Sequence, residues 1–294
     1  MSPAGRPSPG PPRSAVTHVM GTVVSLAAPA AVGAEAFRAA TREAFGELRR
    51  MDEVFSPYRP DSPVSRIRDG RLRIADLPGH PEGPLLTEVL RLCERLYADS
   101  GGAFDAWAVG DPPGFDPCGA VKGWAAERAA GLLARRLPAF ALNAGGDVRV
   151  RGGWGGGPWR VGVTDPHRPG GVLAVLPLSD AAVATSGTAE RGRHVWHPGT
   201  GRPAAGLAQV TVVGPDLALA DGYATAAMAR AATAAEVDDA HAWLEALARR
   251  DGYWSLTVDP AGRVRRLDGL DGRDGPGTPR AAAPAAASSG PDGG

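Results

Sequence analysis

The chain has 294 residues, 43% of them hydrophobic, with 32 Lys and Arg balanced by 32 Asp and Glu. That length supports one large domain or two closely joined ones, and a formal net charge of zero gives no global field to recruit nucleic acid or an anionic membrane. The sequence has no run of about 18 apolar residues and no apolar core near its N-terminus, so neither a membrane span nor a signal peptide is expected, and the expected location is cytoplasmic.

Residues 1–15, opening with "MSPAGRPSPGPPRS", lack aromatic residues and apolar periodicity and read as a disordered segment. Residues 16–267 form the expected folded unit, and the Gly-, Ala- and Pro-rich stretch 268–294 reads as a disordered tail. "THVMGTVVSLAA" is rich in β-branched residues and is expected to be the first strand. A helix follows over 34–55, where Phe37, Ala40, Ala44, Leu48, Met51 and Phe55 recur at three- and four-residue steps. "SPYRPDSPVSRI" is expected to be a polar loop. A second helix spans about 85–97 and is closed by Gly101 and Gly102, and a third spans about 121–136.

Beyond that point the chain turns to strands: "AFALNAG", "DVRVRGG", "WRVGVTD", "VLAVLPL", "AAVATSG", "AQVTVVG" and "YWSLTVD". Two more helices are expected over 219–232 and 234–249. Early helices followed by a strand-rich half predict an α+β fold of mixed sheets with packed helices, not regular βαβ winding. Of the two cysteines, Cys93 falls in a helical pattern and Cys118 in a Gly- and Pro-rich loop, which is neither a zinc site nor a disulfide framework.

Four short stretches could carry chemistry. "NAGGDV" and "ATSGT" could offer backbone N–H groups to a phosphate, although the first taken alone is more ordinarily a hairpin turn. Lys122, in "GAVKGWAAE", is the only lysine of the chain and stands near a helix start, where positive charge suits an anion. "HVWHPGTG" holds His194 and His197 without a third ligand of zinc spacing, so a phosphate contact, a proton carrier or a plain turn histidine fits better. In "LALADGYATAAM", Asp221 and Thr225 lie four residues apart and so share one helix face. They are hard oxygen donors of the kind that suits Mg²⁺, or else a helix-dipole complement and a hydroxyl bonded back to a carbonyl.

The order of these pieces resembles that of the ApbE family, the FAD:protein FMN transferases. Its Met-Gly-Thr run matches Met20, Gly21 and Thr22, and its Ser-x-Tyr turn resembles Ser56, Tyr58, Ser62 and Ser65. Gly-Ala-Phe-Asp matches Gly102 to Asp105, Gly-Gly-x-x-Lys-Gly is similar to "CGAVKG", and Asn-x-Gly-Gly-Asp matches "NAGGD". Thr-Ser-Gly, His-x-x-Asp-Pro-x-Thr-Gly and Ala-Asp-x-x-x-Thr resemble "TSG", "HVWHPGTG" and "ADGYAT". The chain departs from the pattern at Cys118, where the family has glycine, at His197, where it has aspartate, and after Asp105, where Ala-Trp replaces Pro-Thr.

The resemblance implies a two-lobed unit with FAD in a cleft between the lobes. Met20, Tyr58, Ala103, Phe104 and Asp105 would contact the flavin nucleotide. Lys122, Thr185, Ser186, Gly187 and His194 would lie by the phosphates or the adenylate half, with Asn143, Gly145 and Gly146 also against the nucleotide. Mg²⁺ would be held by Asp221, Thr225 and the carbonyl of Gly119. The implied reaction moves FMN from FAD onto a Thr or Ser hydroxyl of an acceptor flavoprotein and releases AMP, with His194 or Asp105 as base and Lys122 beside the phosphates. Hydrolysis of FAD to FMN and AMP, or FAD carriage without turnover, would use the same residues.

Overall fold

A computed structural model describes residues 10–110, 112–188 and 195–268. The expected disordered stretches therefore fall largely outside the described residues, except that strand β1 (Arg13–Val19) begins inside the first of them. Strand β2 (Thr22–Ala28) pairs back on β1 with Thr22 opposite Val19. Met20 and Gly21 between them have φ of 55° and 67°, the two left-handed residues of a type I′ turn. The single strand expected over 17–28 is thus a hairpin, because β-branched character runs unbroken through a reversal that only the glycine marks.

Helix α1 (Ala34–Phe55) has the expected limits and buries the expected stripe, including Phe37, Ala44, Leu48 and Met51. The segment expected to be a loop contains α2 (Pro63–Arg68), where Ser62 caps the Ser65 N–H and Pro63 opens the first turn. A 3₁₀ turn, Ile74–Gly79, leads to α3 (Gly83–Ser100), which ends on Gly101 in the left-handed region. Helix α4 (Cys118–Ala134) starts earlier than expected, so Cys118 is its first residue and not a loop residue. Cys93 is buried in α3.

Strands β3 (Phe140–Ala144), β4 (Asp147–Arg151), β5 (Gly153–Trp154), β6 (Gly157–Thr164), β7 (Val172–Leu178) and β8 (Ala182–Gly187) follow, then the small pair β9 (Trp196–His197) and β10 (Arg202–Pro203). Strand β11 (Gln209–Gly214) precedes α5 (Leu217–Arg230) and α6 (Val237–Asp251). The chain then adds β12 (Trp254–Val258) and a strand the sequence did not signal, β13 (Val264–Leu267), which opens on an exposed valine followed by two arginines.

An eight-stranded sheet in the order β1-β2-β3-β4-β8-β11-β12-β13 runs through the molecule, and its neighbouring strands pair antiparallel. This is the expected α+β arrangement. Helices α1, α3, α4 and α5 pack on one face in the larger core. On the other face Val150, Val183, Val213 and Leu256 meet Trp159, Val161 and Leu176 of the separate β5-β6-β7 sheet. No helix among the described residues is long and apolar enough to cross a membrane.

Helix α5 decides where the site lies. It is apolar on nearly every side, as a helix enclosed by other elements must be. Its alanines let α4 come close, and Tyr223 anchors it by donating a 2.7 Å hydrogen bond to Asp99 Oδ2 at the end of α3.

Candidate functional site

Asp216 accepts from the Leu219 N–H and so caps α5. Asp221 therefore stands beyond the first turn, and the helix-dipole role falls to Asp216. Asp221 is only 3% exposed. A carboxylate buried that deeply needs partners. One is the Gly123 N–H of α4, which donates to Oδ2 at 2.8 Å; the other oxygen, Oδ1, lies 3.6 Å from Lys122 Nζ.

The approach of the two helices depends on Gly123. A Cβ there would fall 2.6 Å from both Asp221 Cβ and the Leu217 carbonyl oxygen. One turn earlier, Gly119 faces Thr225 Cγ2 and Phe104 in the same manner. Two glycines spaced by four on α4 thus meet an acid and an alcohol spaced by four on α5. Thr225 does not bond back to its own helix; its hydroxyl is 3.3 Å from that of Ser186 on β8.

Lys122 lies in the second turn of α4 and is ion-paired with Asp147, the first residue of β4. Asp147 has no solvent exposure, and its Oδ1 accepts from the Thr185 N–H at 3.1 Å. Its carboxyl titrates above the ordinary carboxylate range, first because burial penalises the charge and second because Asp221 is close; Lys122 opposes both. One ammonium therefore holds together two buried carboxylates from different elements.

Lys122 and Asp221 line a cavity of about 340 Å³, with Asp147 buried behind the lysine. Tyr58, Ala103, Phe104 and Asp105 line it beyond the N-terminal end of α4, with Cys118 and Gly119 at that end itself. Gly145, Thr185, Ser186 and Gly187 line it from the strands, and Asp221 and Thr225 from α5. Tyr58 is 92% exposed at the mouth, whereas Phe104 is buried and the Asp105 carboxylate accepts from the Trp107 N–H at 2.8 Å.

Three expected contacts stand off the cavity wall. Met20 occupies the β1–β2 turn and packs on the larger core. Asn143 is exposed and its Oδ1 accepts from the Gly146 N–H, so both build the tight β3–β4 turn that presents Gly145 and Asp147. His194 lies outside the described residues. His197 accepts from the Gly199 N–H through Nδ1, the ordinary work of a turn histidine.

Sequence reasoning missed Asp147 as a site residue although it closes the Asn-x-Gly-Gly-Asp match, because nothing in the strand Asp-Val-Arg-Val-Arg marks its pairing with Lys122. It also missed Gln209 and Trp196, both of which line the cavity. Among the described residues no group of three or more His, Cys, Asp or Glu side chains could hold a metal. What the site does offer is one carboxylate oxygen and one hydroxyl on the cavity wall beside Gly119. That hard and sparse donor set fits Mg²⁺, which keeps waters and shares substrate phosphates, and does not fit zinc.

Comparison with known proteins gives a consistent picture. The model of the ApbE family matches residues 20–111 and 109–249. A curated FAD:protein FMN transferase of Rhodobacter capsulatus is 40% identical over 115 residues, which are 36% of this chain and 22% of that protein. This chain thus matches about a fifth of that relative's length. The solved ApbE protein of Thermotoga maritima superposes with a TM-score of 0.72 at 22% identity, covering 88% of this chain and 97% of that one. The flavin transferase ApbE of Vibrio cholerae gives 0.67 at 19%, covering 87% and 97%. The flavinyl transferase ApbE of Pseudomonas stutzeri gives 0.68 at 22%, covering 87% and 94%. At these identities the structural matches establish the fold.

Proposed function

Because the chain belongs to the ApbE family, we propose that it transfers FMN from FAD to a Thr or Ser hydroxyl of an acceptor flavoprotein and releases AMP. The observation that carries this reading is the buried corner of Lys122, Asp221, Thr225 and Ser186, which opens onto a cavity in the size range of small-molecule sites.

In the reaction, the acceptor oxygen forms a bond to the FMN phosphorus while the bond from that phosphorus to the AMP oxygen breaks, and the hydroxyl proton passes to a base. Phosphoryl-type transfer asks for positioning and charge neutralisation more than covalent help. Lys122 supplies a fixed positive charge, oriented by Asp147 so that its side chain need not be ordered on binding. The small residues from Thr185 to Gly187 let phosphate oxygens come close to the backbone. Asp221, Thr225 and the Gly119 carbonyl would hold Mg²⁺, which neutralises phosphate charge. Asp105, on the cavity wall, and His194 are the candidates for taking the proton.

The test is incubation of the chain with FAD, Mg²⁺ and a flavoprotein carrying a Thr or Ser acceptor, followed by mass analysis of protein and nucleotide, with an EDTA control. An FMN adduct plus AMP, lost with EDTA, is expected. Free FMN and AMP without adduct would make the chain a pyrophosphatase, and intact FAD would make it a carrier.

A further inference from the structure

We propose that Gln209, with Trp196, reads the adenine base of the dinucleotide. The cavity follows one face of α5, since Asp221, Thr225 and Ala229, at steps of four, all line it. Eight residues of helix span about 12 Å. The neighbouring strand keeps pace: Ser186 meets Thr225, and the next residue, Gly187, lies opposite Gln209 in the β8–β11 ladder. The cavity thus has a charged corner at Asp221 and Lys122 and reaches Ala229 along α5, while Gln209 enters it from the other face of the sheet, beside Thr164. Tyr58, Phe104 and Asp105 come to the cavity from other connections, α1–α2 and α3–α4.

Away from the charged corner the side chains change character. Gln209 is only 3% exposed, yet it lines the cavity. Its Nε2 donates one hydrogen to the Thr164 carbonyl at 3.2 Å, which holds the amide plane in place. A primary amide has a second N–H and a carbonyl oxygen, and no other hydrogen bond among the described residues uses them. That donor and acceptor pair, side by side, complements the N6 amino group and N7 of adenine. A guanine presents O6 in place of the amino group and leaves the amide oxygen facing an acceptor. A Cβ on Gly187 would touch the Gln209 Cβ and Cγ at 3.5 Å, so the glycine leaves room beside the stem of the glutamine. Trp196, 51% exposed and also on the cavity wall, offers a face for a base to stack on.

This inference rests on the FAD reading, in which the flavin takes the wall of Tyr58, Phe104 and Asp105. It makes Gln209 a specificity residue for the leaving half of the substrate and leaves the transferred half to other residues.

The test is titration of wild type, Gln209→Leu and Trp196→Ala with FAD, ADP, GDP and FMN, each variant checked for an unchanged melting profile. Wild type is expected to prefer ADP to GDP. Both variants are expected to lose about tenfold or more of their ADP and FAD affinity, with FMN binding unchanged. If Gln209→Leu fails to fold for want of the Thr164 bond, the surface substitution Trp196→Ala still carries the test. Unaltered ADP affinity in a folded variant, or a loss confined to FMN, overturns the adenine assignment while FAD binding stands. Absence of any FAD, ADP or FMN binding by wild type overturns the FAD reading itself.

Discussion

The Gly123 N–H donates a 2.8 Å hydrogen bond to Asp221 Oδ2, joining helices α4 and α5 at the point where the carboxylate faces the cavity. The absence of a side chain at 123 and the presence of an acid at 221 are one feature, because a Cβ at 123 would sit 2.6 Å from Asp221 Cβ.

Gly123→Ala separates two opposing effects. In an open helix the change stabilises by about 1 kcal/mol, but forcing a methyl into a packed interface costs about 1–3 kcal/mol. Here one of the clashing atoms is the Leu217 backbone oxygen, which cannot swing aside. A net loss of stability is expected in urea denaturation, together with loss of FAD cleavage. A variant as stable and active as wild type would contradict the packing described.

Lys122→Met leaves Asp147 and Asp221 close together without the ammonium between them. Breaking a buried pair of this kind costs about 3 kcal/mol or more, and the partial exposure of Lys122 puts the effect toward the low end. Adding Asp147→Asn should recover much of the stability and none of the FAD cleavage. A double-mutant cycle in denaturant, run beside an activity assay, distinguishes the two roles of the lysine.

Asp221→Asn keeps an oxygen for the Gly123 N–H, so the melting temperature is expected to stay near wild type. Turnover should fall by about a hundredfold, in the range seen when a group that neutralises transition-state charge is removed. The Mg²⁺ concentration for half-maximal rate should rise, and a smaller shift is expected for Thr225→Val. Unchanged Mg²⁺ dependence would remove Asp221 from the ion's site.

A pH dependence of stability is expected far from the cavity. His241, 7% exposed, bonds Thr257 Oγ1 through Nε2, and Arg265 lies against its Nδ1. Burial first and the Arg265 charge second hold its titration below the usual 6.5, against the weaker pull of Asp238 and Glu245. The fold therefore prefers the neutral ring. That contribution is complete above the unfolded value and is lost as pH falls from 6.5 toward the lower folded value. Denaturation midpoints of wild type against His241→Asn over this window should show a shallower pH slope for the variant.

Much of this molecule was legible in its sequence where neighbours along the chain are also neighbours in space. The stripe from Phe37 to Phe55 gave α1 its limits, because a helix writes its buried face into spacings of three and four. The ordered run of short motifs pointed to the family and to Lys122, Thr185–Gly187, Asp221 and Thr225, all of which line one cavity. Signals failed where the deciding partner was remote or the local cue was a single residue. Gly21 alone marked the β1–β2 reversal, and Ser62 with Pro63 alone marked α2.

The sequence by itself determined the helix faces, the strand-rich second half and the residue types available for phosphate chemistry. Only the tertiary structure decided that Asp147 holds Lys122 across 25 positions, that Gly123 meets Asp221 across 98, and that Gln209 lines the same cavity. The physical reason is that periodicity reports which side of an element is buried, whereas the partner of a buried charge is fixed by which elements pack together. For these charges that choice rests on the close approach of α4 and α5 at a glycine.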